Sequence, residues 1–302
     1  MANLYQQIAS NKRRSFFIIA FFILFITGAT YAISYTFDLQ NLLPLAIVFS
    51  LISSASSYFW GDKIVLALNG AKPASRQKYF EFYTVTENLA LADQIPTPKI
   101  YVIDTPAMNA FATGRDPQHA VVCATTGLLE KLNRTELEGV IGHELSHVKN
   151  LDTLLMTIVS ILIGTLSIFI NMASRSFFFG QRNNNDNHRD NSSILAIIGI
   201  FMIIFAPIIA QLIQLAISRR REFLADASSV KLTRQPSGLI SALKKISADP
   251  NLMESASTAT ASLYIYNPFK NNEIASLFST HPPVIERIKA LEAMIWSILF
   301  DC

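Results

Sequence analysis

The segment "GVIGHELSHVKN", residues 139–150, sets His143 and His147 four positions apart, with Glu144 directly after the first histidine. Residues four apart share one face of an α-helix, so both imidazoles can converge on a single ion. Neutral imidazole nitrogens suit Zn²⁺, and Glu144, turned slightly off the line joining them, can reach a water beside the ion rather than the ion itself. A carboxylate in that place takes the proton of a water attacking a polarised carbonyl, which is the chemistry of peptide-bond hydrolysis. Chance is a poor explanation: with five histidines in the chain, a random arrangement would give an HExxH about 0.3% of the time. One zinc ion per chain is therefore the expected cofactor.

A catalytic zinc needs a third protein ligand and an open position. The residues following His147 read "VKNLDTLL" and hold no further histidine, so the third ligand must come from another part of the chain. The surrounding elements narrow the choice. Of 302 residues, 51% are hydrophobic, only 16% are charged and 21 are phenylalanine, whereas charged residues make up roughly a quarter of a soluble chain. Four segments, at about 15–35, 42–60, 153–171 and 194–217, approach the roughly 20 apolar residues of a membrane-spanning helix. The first exceeds the h-region of a signal peptide and lacks a convincing cleavage site, so it reads as a retained anchor. Serines at 50, 53, 54, 56 and 57 dilute the second, and small hydroxyl residues at such spacing suit a helix face packed on another helix.

Lys12, Arg13 and Arg14 precede the first segment, Lys63, Lys72, Arg76 and Lys78 follow the second, and Arg219, Arg220 and Arg221 follow the fourth. Basic residues concentrate on the cytoplasmic side of membrane proteins, which places both termini there and leaves the polar loop 173–193 outside. A net charge of +3 in short clusters argues against a nucleic-acid partner. Cys123 and Cys302 form no disulfide framework or CxxC pair; they are compatible with a reducing compartment.

The chain thus divides into a membrane hairpin (1–60), a soluble part carrying the histidine motif (61–150), a second hairpin (151–217) and a second soluble part (218–302). The fold class is mainly α with four transmembrane helices and an α+β cytoplasmic domain split in sequence. In residues 61–150, Pro73 reads as the first turn of a helix, and "KIYVID", "MNAFAT" and "HAVVCAT" read as strands. Thr135 followed by Glu138 reads as the capping box that opens the histidine helix.

His143 and His147 lie just before the third span, and whatever follows the fourth span returns to the same side. There stands "SRRREFLADASSV". If both helices continue out of the bilayer, Glu222 sits roughly 7 Å beyond the lipid at a height similar to His147 and supplies the third ligand. Asp226, four residues on, shares its face and can accept from the outer nitrogen of a zinc histidine. Without the HExxH, a solvated Glu222 paired with Arg219 or Lys231 and an Asp226 that merely caps or solvates its helix would be preferred.

"GHELSHVKNLD", "SRRREFLAD", "STHPPVIERI" and "MNAFATG", with four hydrophobic segments, resemble the HtpX-type bacterial membrane zinc proteases, relatives of the CAAX prenyl endopeptidases. The resemblance covers nearly the whole chain, except the loop 174–193. It implies a gluzincin-like fold, zinc held by His143, His147 and Glu222, Glu144 as catalytic base, and stress-related quality control at the bacterial inner membrane. Unfolded or damaged membrane proteins are then the expected substrates. It also draws attention to His281, which could donate to the oxyanion, and Arg287, which could orient His281 or the substrate carbonyl. "MNAFATG" is consistent with an exposed edge strand binding extended substrate through the backbone of Asn109 and Ala110. A different class, an idle membrane scaffold with a structural metal, is disfavoured because such a site has no use for a base beside a ligand; a metal transporter is disfavoured because the ligands lie outside the spans.

Overall fold

The computed structural model of the protein describes residues 4–37, 42–180, 219–253, 259–268 and 282–300. Helices α1 (Leu4–Phe37) and α2 (Leu42–Phe59) carry the first two hydrophobic segments. Helix α7 (Asp152–Gly180) carries the third and continues past residue 171 to Gly180. The expected fourth span, 194–217, lies outside the described residues.

These three helices pack on one another through Ile18, Phe22 and Ile26 of α1, Ala46 of α2, and Leu155, Ile158 and Leu162 of α7. Ser50, Ser54 and Ser57 of α2 are buried, so the hydroxyl-bearing face is turned inward and the apolar residues outward. Phe16, Leu24, Leu45 and Ile52 are each at least 60% exposed. Among the described residues no single helix is long and apolar enough to cross a membrane, but two bent pairs meet the requirement together. The first is α2 with α3 (Gly61–Leu68), bent by 86°; the second is α6 (Arg134–Lys149) with α7, bent by 82°.

The second bend corrects the expectation that the histidine helix continues the third span. Asn150 caps α6, and Leu151 takes φ +57°, a left-handed conformation that a residue with a large side chain holds only when its surroundings fix it. Burial of Leu151 against α1 and α7 supplies that fixing. Helix α6 therefore turns away from the axis of α7 and lies against the sheet and the helices that cover it.

A four-stranded sheet has the order β1 (Lys72–Pro73), β2 (Lys99–Ile103), β4 (Val121–Thr125), β3 (Ala110–Thr113). Strands β2 and β4 are parallel, with Lys99 opposite Val121; β3 runs antiparallel to β4, with Ala110 opposite Ala124. The three expected strands are present, but Pro73 pairs with Tyr101 instead of opening a helix, and α4 (Phe80–Ala92) starts only at Phe80. An edge strand tolerates the missing proline N–H. Central β4 is buried along its length, as a strand covered on both faces must be. Val122 and Ala124 face α4, α6, α9 (Pro236–Ala248) and α10 (Val284–Phe300), while Val121 and Cys123 face α3 and α7.

Candidate active site

Helix α6 opens two residues earlier than its Thr135 pattern suggests. The Asn133 side chain accepts from the Glu136 N–H at 3.0 Å, and the Glu136 carboxylate accepts from the Asn133 N–H at 2.8 Å, closing a capping box. Helix α5 (Thr126–Lys131) ends on an extended Leu132, which leaves Asn133 in place to cap. Glu136 also accepts from Ser241 and Lys245 of α9 at 2.6 and 2.7 Å, so one carboxylate fixes both the start of α6 and its partner helix.

Helix α8 (Arg219–Thr233) lies against α6 at Gly142, and α9 lies against α6 at Gly139; the two glycines of "GVIGHE" permit one close approach each. A Cβ on Gly142 would stand 2.9 Å from Ser229 Oγ, and one on Gly139 only 2.7 Å from the Leu239 nitrogen. Ser229 Oγ donates to the Gly139 carbonyl at 2.7 Å. This contact between distant parts of the chain carries Glu222 to the histidines.

His143 Nε2 and His147 Nε2 stand 3.2 Å apart, with Glu222 oxygens 3.6 Å from the first and 3.5 Å from the second. A tetrahedral ion with bonds of about 2.0–2.1 Å separates its ligands by roughly 3.3–3.4 Å. The observed separations are of that size, with the two histidines facing different oxygens of the Glu222 carboxylate. The outer nitrogens decide the tautomers: His143 Nδ1 lies 2.9 Å from Asp226 Oδ1, and His147 Nδ1 lies 3.0 Å from Asp152 Oδ2. A carboxylate only accepts, so each Nδ1 carries a hydrogen and each Nε2 directs a lone pair inward. Two lone pairs at 3.2 Å beside a carboxylate repel unless a cation lies among them. The donor set fits zinc.

The charges agree with that reading. Burial and the Arg287 cation both oppose charging of His143, but hydrogen bonds to Asp226 and Glu222 with the Asp226 charge prevail and raise it to about 9. The cluster thus draws a proton when no other cation competes. Burial pushes the Glu144 carboxyl up from its ordinary value, the two histidines partly offset this, and the Glu222 charge adds to it. At 2% exposure, Glu144 is a carboxylate out of water whose affinity for a proton is raised, the direction a general base needs.

Arg287 lies in the site but is committed there. Its Nε and Nη2 form a fork on Asp226 at 2.9 and 2.6 Å, and Nη1 donates to the Ile265 carbonyl at 3.3 Å. Burial opposes the ionisation of Asp226, yet Arg287 and His143 hold its carboxyl below the usual range. With 1% exposure, Arg287 braces the Asp226–His143 pair. His281 itself lies outside the described residues.

The edge reading of β3 also needs correction. The strand is at the sheet edge, but the Ala110 carbonyl accepts from the Ile265 N–H at 2.9 Å, Phe111 bridges Tyr264, and the Ala110 N–H points to the Asn109 side chain. The Asn109 amide donates to the Tyr266 carbonyl at 2.9 Å. The chain's own residues 264–266 occupy the positions expected for substrate at Asn109 and Ala110, a pairing across more than 150 residues that local pattern cannot reveal.

Comparison with families of known proteins matches Peptidase family M48 over residues 77–295. A "Protease HtpX homolog" of Streptococcus uberis is 43% identical over 296 residues, 96% of this chain and 100% of the relative. One from Dictyoglomus turgidum is 43% identical over 293 residues, covering 96% of this chain and 94% of the relative. A crystal structure of S. mikatae Ste24p covers 94% of this chain and 66% of that longer one at a TM-score of 0.47 and 16% identity, too remote to carry an argument. With two histidines, a glutamate able to hold a metal ion and a buried carboxylate beside them, on a sequence matched over most of its length, the chain belongs to peptidase family M48 and is a metalloendopeptidase.

Proposed function

We propose that the protein is an integral-membrane zinc endopeptidase that hydrolyses misfolded or damaged membrane proteins at the cytoplasmic face of a bacterial inner membrane. The observation that carries the reading is Glu144: a buried carboxylate one residue after a metal ligand has a use in hydrolysis and none in a purely structural site. Zinc bound by His143, His147 and Glu222 supplies polarisation of the substrate carbonyl and acidification of a water. Glu144 then takes a proton on its carboxylate and passes it to the leaving amine nitrogen, a transfer favoured by a carboxyl whose proton affinity burial has raised. Asp226 and Arg287 keep the His143 ring turned toward the ion, and His281 is assigned to the oxyanion.

The apolar face that α1 and α2 turn outward supports membrane insertion, since exposed Phe16, Leu24, Leu45 and Ile52 need a lipid or protein cover. The basic residues at 12–14 and 219–221 favour cytoplasmic placement of the site. Glu144→Gln is expected to retain zinc while losing nearly all cleavage of an unfolded protein substrate, measured on purified enzyme by metal analysis and peptide release. Hydrolysis at the parental rate would remove Glu144 as base.

A further inference from the structure

Asp152, whose carboxylate sets the tautomer of His147, is 2% exposed and sits at the first residue of α7, against the site. Its Oδ2 faces His147 Nδ1 at 3.0 Å, and its Oδ1 accepts from Arg221 Nη1 of α8 at 3.1 Å and from Asn11 Nδ2 of α1 at 2.8 Å. Asn11, itself 3% exposed, also donates from Nδ2 to the Asn150 carbonyl at 2.9 Å, so both amide hydrogens bind the junction between α6 and α7. Farther along α1 the contact with α7 includes the apolar residues Ile18, Phe22 and Ile26. A buried amide at this one turn needs partners, and those it finds lead to a metal ligand.

We propose that Asn11 and Asp152 are positioning residues of the metal centre: Asp152 fixes the tautomer and orientation of His147, and Asn11 holds the Asp152 carboxylate in place together with Arg221. The N-terminal helix is thereby connected to the site by two hydrogen bonds in series, Asn11 to Asp152 and His147 to Asp152. An acceptor on the non-ligating nitrogen of a metal histidine makes it a better and better-aimed ligand. A carboxylate held by two donors, one of them charged, keeps its aim while buried. The inference rests on zinc binding at His143, His147 and Glu222.

Transfer of zinc from the purified full-length protein to a competing chelator measures affinity, and the visible absorption of the cobalt-substituted protein reports ligand geometry. Asp152→Ala should weaken zinc by about tenfold to a hundredfold, the range of partners behind metal ligands. Asn11→Leu, which keeps the packing volume, should weaken it by roughly fivefold, a part of what one hydrogen bond to a charged group is worth, and should shift the cobalt spectrum. The double variant should be no weaker than Asp152→Ala alone, because Asn11 acts through that carboxylate. Phe22→Ala, in the same helix contact but away from Asp152, should lower the melting temperature with zinc affinity unchanged. Should Asn11→Leu not fold, Asn11→Ser takes its place. Parental zinc affinity and cobalt spectrum in the Asn11 variant, or an Asn11 effect that persists in full on Asp152→Ala, would overturn the inference. Absence of zinc from the parental protein would instead refute the metal assignment on which it rests.

Discussion

At the scale of single residues, each metal histidine has its outer nitrogen on a buried aspartate, and the two aspartates come from different directions. Asp226 reaches His143 from α8, and Asp152 reaches His147 from α7. The first was legible, because Asp226 follows Glu222 by one helical turn and must share its face. The second was not. Position 152 follows 147 by five residues, a spacing that on a continuous helix points about 140° away, and only the break at Leu151 folds it back. An acid soon after an HExxH deserves inspection whenever the intervening residues could end the helix. Asp226→Asn should weaken zinc retention by about tenfold to a hundredfold while leaving the ion bound at high concentration, because the amide oxygen still accepts from His143 but brings no charge. Chelator competition measures this, and unchanged affinity would mean that Asp226 serves only Arg287.

Among elements, the decisive contact is α6 on α8, and its sequence signal is a glycine, Gly142, rather than an apolar stripe. Gly142→Ala would set a methyl 2.9 Å from Ser229 Oγ and 3.4 Å from Ser229 Cα, so α8 must shift, and Glu222 shifts with it. The expected result is a destabilisation of about 1–3 kcal/mol, the usual cost of overpacking, with weaker zinc binding. Adding Ser229→Ala removes the nearest atom and should recover part of both; a Gly142→Ala protein with parental melting temperature and zinc affinity would show that the helices have slack. Strands β2, β3 and β4 were legible because each is a short β-forming run bounded by turn residues. The start of α6 was displaced because two capping patterns overlap, Asn133 with Glu136 and Thr135 with Glu138, and the extended end of α5 selects the earlier. The covering of β3 by residues 264–266 and the turn of α6 away from α7 are tertiary choices that local periodicity does not encode.

For the whole molecule, the ligands come from two parts of the chain separated by the long segment between α6 and α8, so the metal centre closes only when those parts meet. The proposed orientation puts both parts on one side of the bilayer. With Cys302 replaced by serine and Cys123 buried in β4, cysteines introduced one at a time by Arg134→Cys and Arg219→Cys should both react with a membrane-impermeant thiol reagent only when the cytoplasmic face is open; labelling from opposite faces would break the shared-side argument for Glu222. The central claim is that one zinc ion is held by His143, His147 and Glu222, and X-ray absorption at the zinc edge of the purified protein tests it most directly when paired with metal analysis of Glu222→Ala. The account predicts one zinc per chain, only nitrogen and oxygen neighbours at about 2.0–2.2 Å, and sharp loss of zinc from the variant; sulfur in the coordination shell, or equal zinc in Glu222→Ala and parent, would contradict it.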